Sequence, residues 1–339
     1  MHSSSIVQII TVKFSKYSKE YSYICDDVIK IGDFVKVEDK DKPFQVTNVK
    51  LEKIEDLPVD YKEMKFAKLM SLEETKLNEL ICNNPILKRF GRPINLIGRD
   101  DIIEELLISI NKIRMKNTIL IGEAGCGKTA IVESFADMIK DCYFVLGFTV
   151  GELVSGTAFR GTMEERITSI FNDILEFNKK YKKKIILFID EIHLIANSYS
   201  INESLVSDFM KTYLTDDNII VIGATTIKEY NSSIKKDKAT MRRLSPLFIP
   251  ILNDASVIQI LKNFSNNEID DSLLELILEE SKEIPNAINP DVSIEILDRT
   301  LARSKVLSED LSSNMIYKIV DLMKVSYGTL PQSRNFNRL

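Results

Sequence analysis

The sequence predicts an α/β protein: a doubly wound parallel sheet with helices on both faces, a C-terminal helical lid, and a small, mostly β domain ahead of them. Three observations predict it. Buried strand-like runs alternate with helical spacing through the middle of the chain, a Gly-rich turn separates one such run from a helix, and strand signals stop after about Ile251. Strands separated by helix-length segments run parallel, because a crossover of that length returns the chain to the same end of the sheet.

From Ile6 to Ile54 the runs IVQIITVKF, EYSYI, DFVKV and FQVTNVKL are β-rich and broken by polar or Gly/Pro-bearing turns. They predict a small antiparallel barrel or sandwich over 1–56. Residues 57–90 are polar and charged, with helical spacing from Glu63 to Leu80, and read as a linker carrying a helix or two. TILIG at 118–122, YFVLGF at 143–148, KIILFID at 184–190 and NIIVIGATT at 218–226 are apolar enough to be covered on both faces, as interior parallel strands are. They place the α/β domain at 91–253. Ser256–Phe264, Asp271–Glu283, Asp291–Val306 and Ser308–Val325 carry helical periodicity, giving a helical domain at 254–330 and a flexible tail at 331–339.

With 44% hydrophobic and 28% charged residues among 339, the composition is that of a globular protein and excludes disordered and fibrous classes. No apolar run approaches the roughly 18 residues that cross a bilayer, and Met1–Ile10 lacks the features of a signal peptide, so a cytoplasmic protein without membrane contact is expected. Cys25, Cys82, Cys126 and Cys142 show no paired spacing and read as reduced thiols. A net charge of −5 gives no general attraction to nucleic acid, and the basic run Lys179–Lys184 reads as a solvated helix end.

Between the strand ending at Ile121 and a helix beginning near Lys128 lies GEAGCGKT, which fills GxxxxGK[ST] with Gly122, Gly127, Lys128 and Thr129. The glycines let backbone N–H groups turn inward around phosphates, Lys128 neutralises β and γ oxygens, and Thr129 offers a hydroxyl to magnesium at a helix N-terminus. About sixty positions on, the apolar run Ile186–Ile189 ends in Asp190 and Glu191, at the strand end where such a sheet places its ligands. Asp190 is expected to orient magnesium and Glu191 to polarise the attacking water. His193 reads as a structural loop residue, and Cys126 as a small filler of a variable loop position, its alternative being a thiol activated by the helix N-terminus.

The segments NLIGRDD, GEAGCGKTAIVE, AFRGTMEERI, ILFIDEIH, IGATTIKEY and MRRL occur in the order and spacing of the Clp-type AAA+ ATPases, which the chain resembles from about Asn95 to Pro250. More narrowly it looks like the first ATPase ring of the Clp unfoldases and disaggregases, here as a single ring with its own N-terminal domain. The resemblance implies ATP and Mg2+ as cofactors, with nucleotide bound by Gly122, Glu123, Ala124, Gly125, Cys126, Gly127, Lys128, Thr129 and Ala130, by Leu96 and Ile97 at the adenine, and by Ile260 closing that pocket from the helical domain. Thr226 resembles the sensor beside the catalytic acid, and Arg242 and Arg243 the arginine fingers that reach a neighbour's nucleotide.

GTAFRG, Gly156–Gly161, matches the family's pore loop, with Phe159 as the residue gripping an unfolded polypeptide; the family's preceding basic residue is here Ala158 and its tyrosine here phenylalanine. The tripeptide Leu146–Phe148 resembles a peptidase-docking loop but falls in a buried strand, and Arg299 and Arg303 read as exposed helix arginines. The implied function is ATP-driven unfolding, remodelling or threading of a polypeptide by a homo-oligomer, expected to be a hexamer, with the N-terminal domain docking a client or adaptor and no nucleic-acid partner. A switch or loader ATPase that assembles another complex without threading is the alternative.

Overall fold

The computed structural model describes residues 6–13, 19–37, 43–54, 57, 64–154, 160–196 and 212–326. The chain divides into two compact units, Met1–Pro85 and Ile86–Leu339.

The first unit holds strands β1 (Ile6–Lys13), β2 (Glu20–Ile24), β3 (Phe34–Val37), β4 (Phe44–Lys53) and β5 (Ala67–Leu69), then helix α1 (Leu72–Asn83). The order β2-β1-β4-β3-β5 is antiparallel throughout. A parallel bridge between Ile24 and Phe66, with the Ile24 N–H donating to the Lys65 carbonyl at 3.1 Å, joins the two outer strands and closes the strip. Inside lie Ile10, Val12, Tyr23, Cys25, Val35, Val37, Val46 and Ala67, the inward set of a period-two pattern. Asp27 pins the turn after β2: its carboxylate accepts from the Leu69 N–H at 2.9 Å and its carbonyl from the Gln8 amide at 2.7 Å.

The stretch read as a linker is built otherwise. The sheet extends past residue 56 to β5, which pairs with β3, and the helix starts only at Leu72, where the Ser71 hydroxyl accepts from the Glu74 N–H at 3.1 Å. Cross-strand pairing overrides the helical spacing of the residues before Ser71, and the serine cap sets the start.

The second unit runs β6 (Lys88–Phe90), α2 (Asp100–Asn111), β7 (Thr118–Ile121), α3 (Lys128–Met138), β8 (Tyr143–Thr149), α4 (Val150–Val154), α5 (Arg160–Lys180), β9 (Lys184–Asp190), α6 (His193–Ala196), β10 (Ile220–Thr225), α7 (Ile227–Ser232), α8 (Lys238–Met241) and β11 (Ser245–Phe248). Four longer helices follow: α9 (Asp254–Phe264), α10 (Asp271–Ser281), α11 (Asp291–Leu307) and α12 (Ser313–Ser326). The sheet order is β11-β7-β10-β9-β8-β6, parallel except for β6.

Both unforeseen strands are edges. β6 is three residues of mixed polarity inside the supposed linker, and β11 carries Pro246, which only an edge position tolerates. One face of the sheet packs against Ile102 and Leu106 of α2 and Ile131 and Phe135 of α3. Val145 of β8 belongs to that cluster, so Phe144 next to it points to the other face, where its ring meets Phe177 of α5 with centroids 6.2 Å apart. The helical domain has its own core, including Leu261, Leu274, Ile277, Ile296, Ile316 and Val320.

Candidate nucleotide site

The parallel sheet brings three sequence-distant segments to one end. Strand β10 lies between β7 and β9, with Thr225 opposite Ile121 and Gly223 opposite Ile189. The strand ends are stitched together beyond the ladder: the Gly122 N–H donates to the Thr225 carbonyl at 3.2 Å, and the Ile192 N–H to the Ala224 carbonyl at 3.1 Å. The glycine-rich loop, the pair Asp190 and Glu191, and Thr226 therefore leave the sheet side by side.

The loop has the backbone an anion site requires. Gly125 and Gly127 take φ values of 82° and 94°, which side-chain-bearing residues avoid, and Gly127 begins α3 with no side-chain cap on its first amides. A Cβ at Gly127 would meet nothing within 4 Å, so the cradle is open there. A Cβ at Gly125 would stand 2.8 Å from Asp291 Cβ, because α11 of the helical domain abuts the loop. Lys128 folds back so that Nζ donates to the Gly122 and Glu123 carbonyls at 2.7 and 2.9 Å, which places its charge over the loop. Ala124 and Thr129 are exposed, and Ala130 is half-buried in the first turn of α3.

Cys126 is buried with its sulfur beneath Gly122, and burial pushes its thiol up from the ordinary value. The activated-thiol alternative is thereby corrected: desolvation outweighs the neighbouring Lys128 and Arg99, and the sulfur packs.

Glu191 has φ 54°, an uncommon conformation for a non-glycine residue, at the turn leaving β9, and its side chain is exposed. Its Oε2 lies 3.9 Å from where a Cβ on Gly151 of α4 would be. Asp190 accepts from the Glu191 N–H at 2.9 Å. The Thr226 hydroxyl accepts from the Glu229 N–H at 3.3 Å and caps α7, while its neighbour Thr225 is buried against His193 Nδ1 at 3.1 Å. His193 thus braces β10 against the turn after β9, in keeping with a structural role.

Leu96 packs on the core of the large domain, Ile97 is half-buried beside it, and Ile260 is half-buried on α9. Gly98 adjoins the start of the helical domain, where a Cβ would meet Ser256 Oγ at 2.9 Å and Leu252 at 3.2 Å. Arg242 and Arg243 precede β11, whose first residue Ser245 is opposite Thr118, the first of β7. They stand at the far end of the strand from the phosphate loop, on the order of 10 Å of strand away, and the chain does not bring them to its own loop. Phe159 lies outside the described residues.

Two buried charges were not anticipated. Glu133 of α3 accepts from the Gly91 and Arg92 N–H groups at 2.8 and 2.9 Å and from Arg92 Nε at 3.2 Å, which clamps the segment after β6 to the phosphate-loop helix. Arg99 donates to the Pro250 carbonyl at 2.6 Å and the Cys126 carbonyl at 3.0 Å. Arg99 lies in a GRDD turn and Glu133 in the middle of a helix, both places where charged residues ordinarily face water, so nothing local in the sequence marks their burial.

The donor set fits a magnesium nucleotide. An uncapped helix N-terminus, inward-capable glycine amides and one lysine suit a polyphosphate. No group of three or more His, Cys, Asp or Glu side chains is gathered for a metal among the described residues. One hydroxyl and one carboxylate, Thr129 and Asp190, are what Mg2+ needs when phosphates supply further ligands.

Comparison with known proteins agrees with this geometry. The model of the "ATPase family associated with various cellular activities (AAA)" matches residues 118–246. The chaperone protein ClpB of Mycoplasma genitalium is 32% identical over 283 residues, covering 74% of this chain and 39% of ClpB. The ATP-dependent Clp protease ATP-binding subunit ClpE of Bacillus subtilis is 31% identical over 271 residues, with 74% and 37% covered. Among solved structures, the S. cerevisiae Hsp104–ADP complex superposes with a TM-score of 0.61 at 27% identity, over 69% of this chain and 42% of that one. The closed state of Hsp104 with ATPγS and FITC casein gives 0.58 at 25% identity, over 73% and 44%.

A phosphate loop, an Asp–Glu strand end and a helical lid on this sheet order define an AAA+ ATPase. The chain belongs to the Clp-type AAA+ ATPases, and it spans about two fifths of the length of the relatives it matches. No described helix is long and apolar enough to cross a membrane.

Proposed function

We propose that the chain binds and hydrolyses ATP with Mg2+, and that it works as a homo-oligomer, a hexamer in the expected case, which remodels, unfolds or threads a polypeptide client. The observation that carries the reading is the division of charges along β7. Lys128, Asp190 and Glu191 gather at one end, while Arg242 and Arg243 stand at the other, where only a second copy of the chain would bring them to a nucleotide. The Hsp104 structures it resembles hold ADP, or ATPγS and casein, which supports both a nucleotide and a polypeptide partner.

In this reading the loop amides and Lys128 hold the phosphates, Thr129 and Asp190 hold Mg2+, and Glu191 orients a water and takes up its proton. Thr226 reads the γ-phosphate end, and Arg242 and Arg243 of one subunit stabilise charge in the next. Mg2+ supplies charge neutralisation on the phosphates. Contact of the loop with α11, through Gly125 and Asp291, gives the helical lid a means to respond to what the loop holds. Phe159 grips the client, and the N-terminal barrel docks the client or an adaptor.

The test is the mass in solution of Glu191→Gln with ATP, beside the ATPase rate of the unmutated chain. A nucleotide-dependent shift to about six subunits, with hydrolysis only in the unmutated chain, is expected. A monomer or dimer that hydrolyses ATP would move the reading to a switch or loader ATPase that assembles a complex without threading; full unfolding activity in Phe159→Ala would do the same.

A further inference from the structure

Among the described residues, Arg99 and Glu133 are the Arg, Lys, Asp or Glu side chains that are fully buried, at 3% and 4% exposure. Glu133 has a cationic partner in Arg92, whereas among the described residues Arg99 has no carboxylate in ion-pair range and donates to two carbonyls. An unpaired buried cation is costly, and burial lowers the Arg99 pKa, so something else has to repay its position.

The two carbonyls it holds are informative. One, Cys126, belongs to the phosphate loop; the other, Pro250, lies between β11 and α9, where the large domain passes into the helical one. A trans peptide is planar, with its C=O and N–H pointing in opposite directions. With the Cys126 carbonyl drawn toward Arg99, the Gly127 N–H is turned away from it, at the glycine that opens α3 without a side-chain cap.

We propose that Arg99 is a positioning residue for polyphosphate binding: it fixes the Cys126–Gly127 peptide with its N–H aimed into the cradle and ties that peptide to the hinge at Pro250. The phosphates' negative charge in turn balances the buried guanidinium. This rests on the reading of the loop as an ATP site. It also assigns Arg99 a reach that a lysine lacks, because the two carbonyls are taken by different guanidinium nitrogens, Nη1 and Nη2.

The experiment measures dissociation constants of adenosine, ADP and ATP, with Mg2+, by titration calorimetry on the full chain, for the unmutated protein, Arg99→Gln and Arg99→Lys. Arg99→Gln is expected to weaken ADP and ATP by about tenfold or more while leaving adenosine within about twofold. Arg99→Lys, which keeps the charge and is the variant to use if the glutamine form does not fold, is expected to weaken ATP by a smaller factor at an unchanged melting temperature. An equal loss for all three ligands in Arg99→Gln would make Arg99 a plain structural residue and overturn the proposal, as would unmutated ATP affinity in Arg99→Lys. If the unmutated chain binds adenosine nucleotides not at all, the ATP reading itself fails.

Discussion

The two compact units use sequence in opposite ways. In the second, a handful of side chains at fixed spacing carries the chemistry, and the sheet exists to bring them to one edge: Lys128, Asp190 and Glu191 are far apart in the chain and meet because β7, β10 and β9 are neighbours. In the first, residues such as Ile10, Val35 and Val46 do nothing but fill a barrel, and any apolar set with the same alternation would do. The difference teaches why one half of the molecule announces its function and the other does not.

The sharpest way to break this contrast is Lys128→Ala. It removes the ammonium that lies over the Gly122 and Glu123 carbonyls and touches no core, so nucleotide binding and hydrolysis are expected to fall by about a hundredfold or more with the melting temperature kept. Nucleotide titration and a thermal melt of the same sample check it. A large drop in melting temperature would mean that Lys128 holds the loop together through Gly122 and Glu123 rather than serving a ligand.

Ile10→Ala is the counterpart. Ile10 is fully buried, and the cavity left is expected to cost the N-terminal unit about 2–5 kcal/mol. Urea unfolding followed by hydrogen exchange of the amides in Ile6–Lys13 should show the loss, while the ATPase rate stays within about twofold. A matching fall in ATPase would show that the barrel supports the site, and the contrast between the units would fail.

A third test works within the loop. Alanine at Gly127 meets no atom within 4 Å and suffers only the backbone penalty of a positive φ, about 1–2 kcal/mol. Alanine at Gly125 has that penalty and also runs into Asp291 at 2.8 Å, so a further 1–3 kcal/mol, roughly, is expected. Chemical denaturation of the second unit compares them, and equal losses would mean that α11 yields freely and does not sense the loop.

The same contrast explains what was legible. The strand over Lys184–Asp190 and the phosphate loop stand where spacing put them, because a buried parallel strand is a continuous apolar run and an anion cradle needs its glycines. The four C-terminal helices fall within a few residues of their predicted starts, with α12 the exception: Ser308 ends α11 in a left-handed turn, and α12 begins only at Ser313. Edges were hidden. β6 and β11 are short and partly polar, and β5 borrows its conformation from β3. Arg99 and Glu133 were hidden for another reason: their burial is created by loops folding over them, and no local pattern records that.

The smallest expected effect concerns α4, the helix that faces Glu191. Thr149 and Glu152 cap it reciprocally: the Thr149 N–H donates to Glu152 Oε2 at 3.1 Å and the Glu152 N–H to Thr149 Oγ1 at 3.3 Å, while Lys88 of β6 bonds the other carboxylate oxygen. The Lys88 ammonium, and after it the Thr149 N–H, hold the Glu152 carboxyl below its ordinary value of 4.5. A depressed carboxylate pKa stabilises the fold above the unfolded-state pKa, and that contribution fades as pH falls through the folded one. With 35% of the Glu152 side chain exposed, solvent screening keeps the pair below about 1 kcal/mol. Glu152→Gln is therefore expected to lower the melting temperature slightly at pH 7, and the difference from the unmutated chain should shrink as pH falls below about 4. Paired melts across that range check the sign: a gap that widened in acid would mean that Glu152 is held by its neutral form, contrary to the hydrogen bonds it accepts.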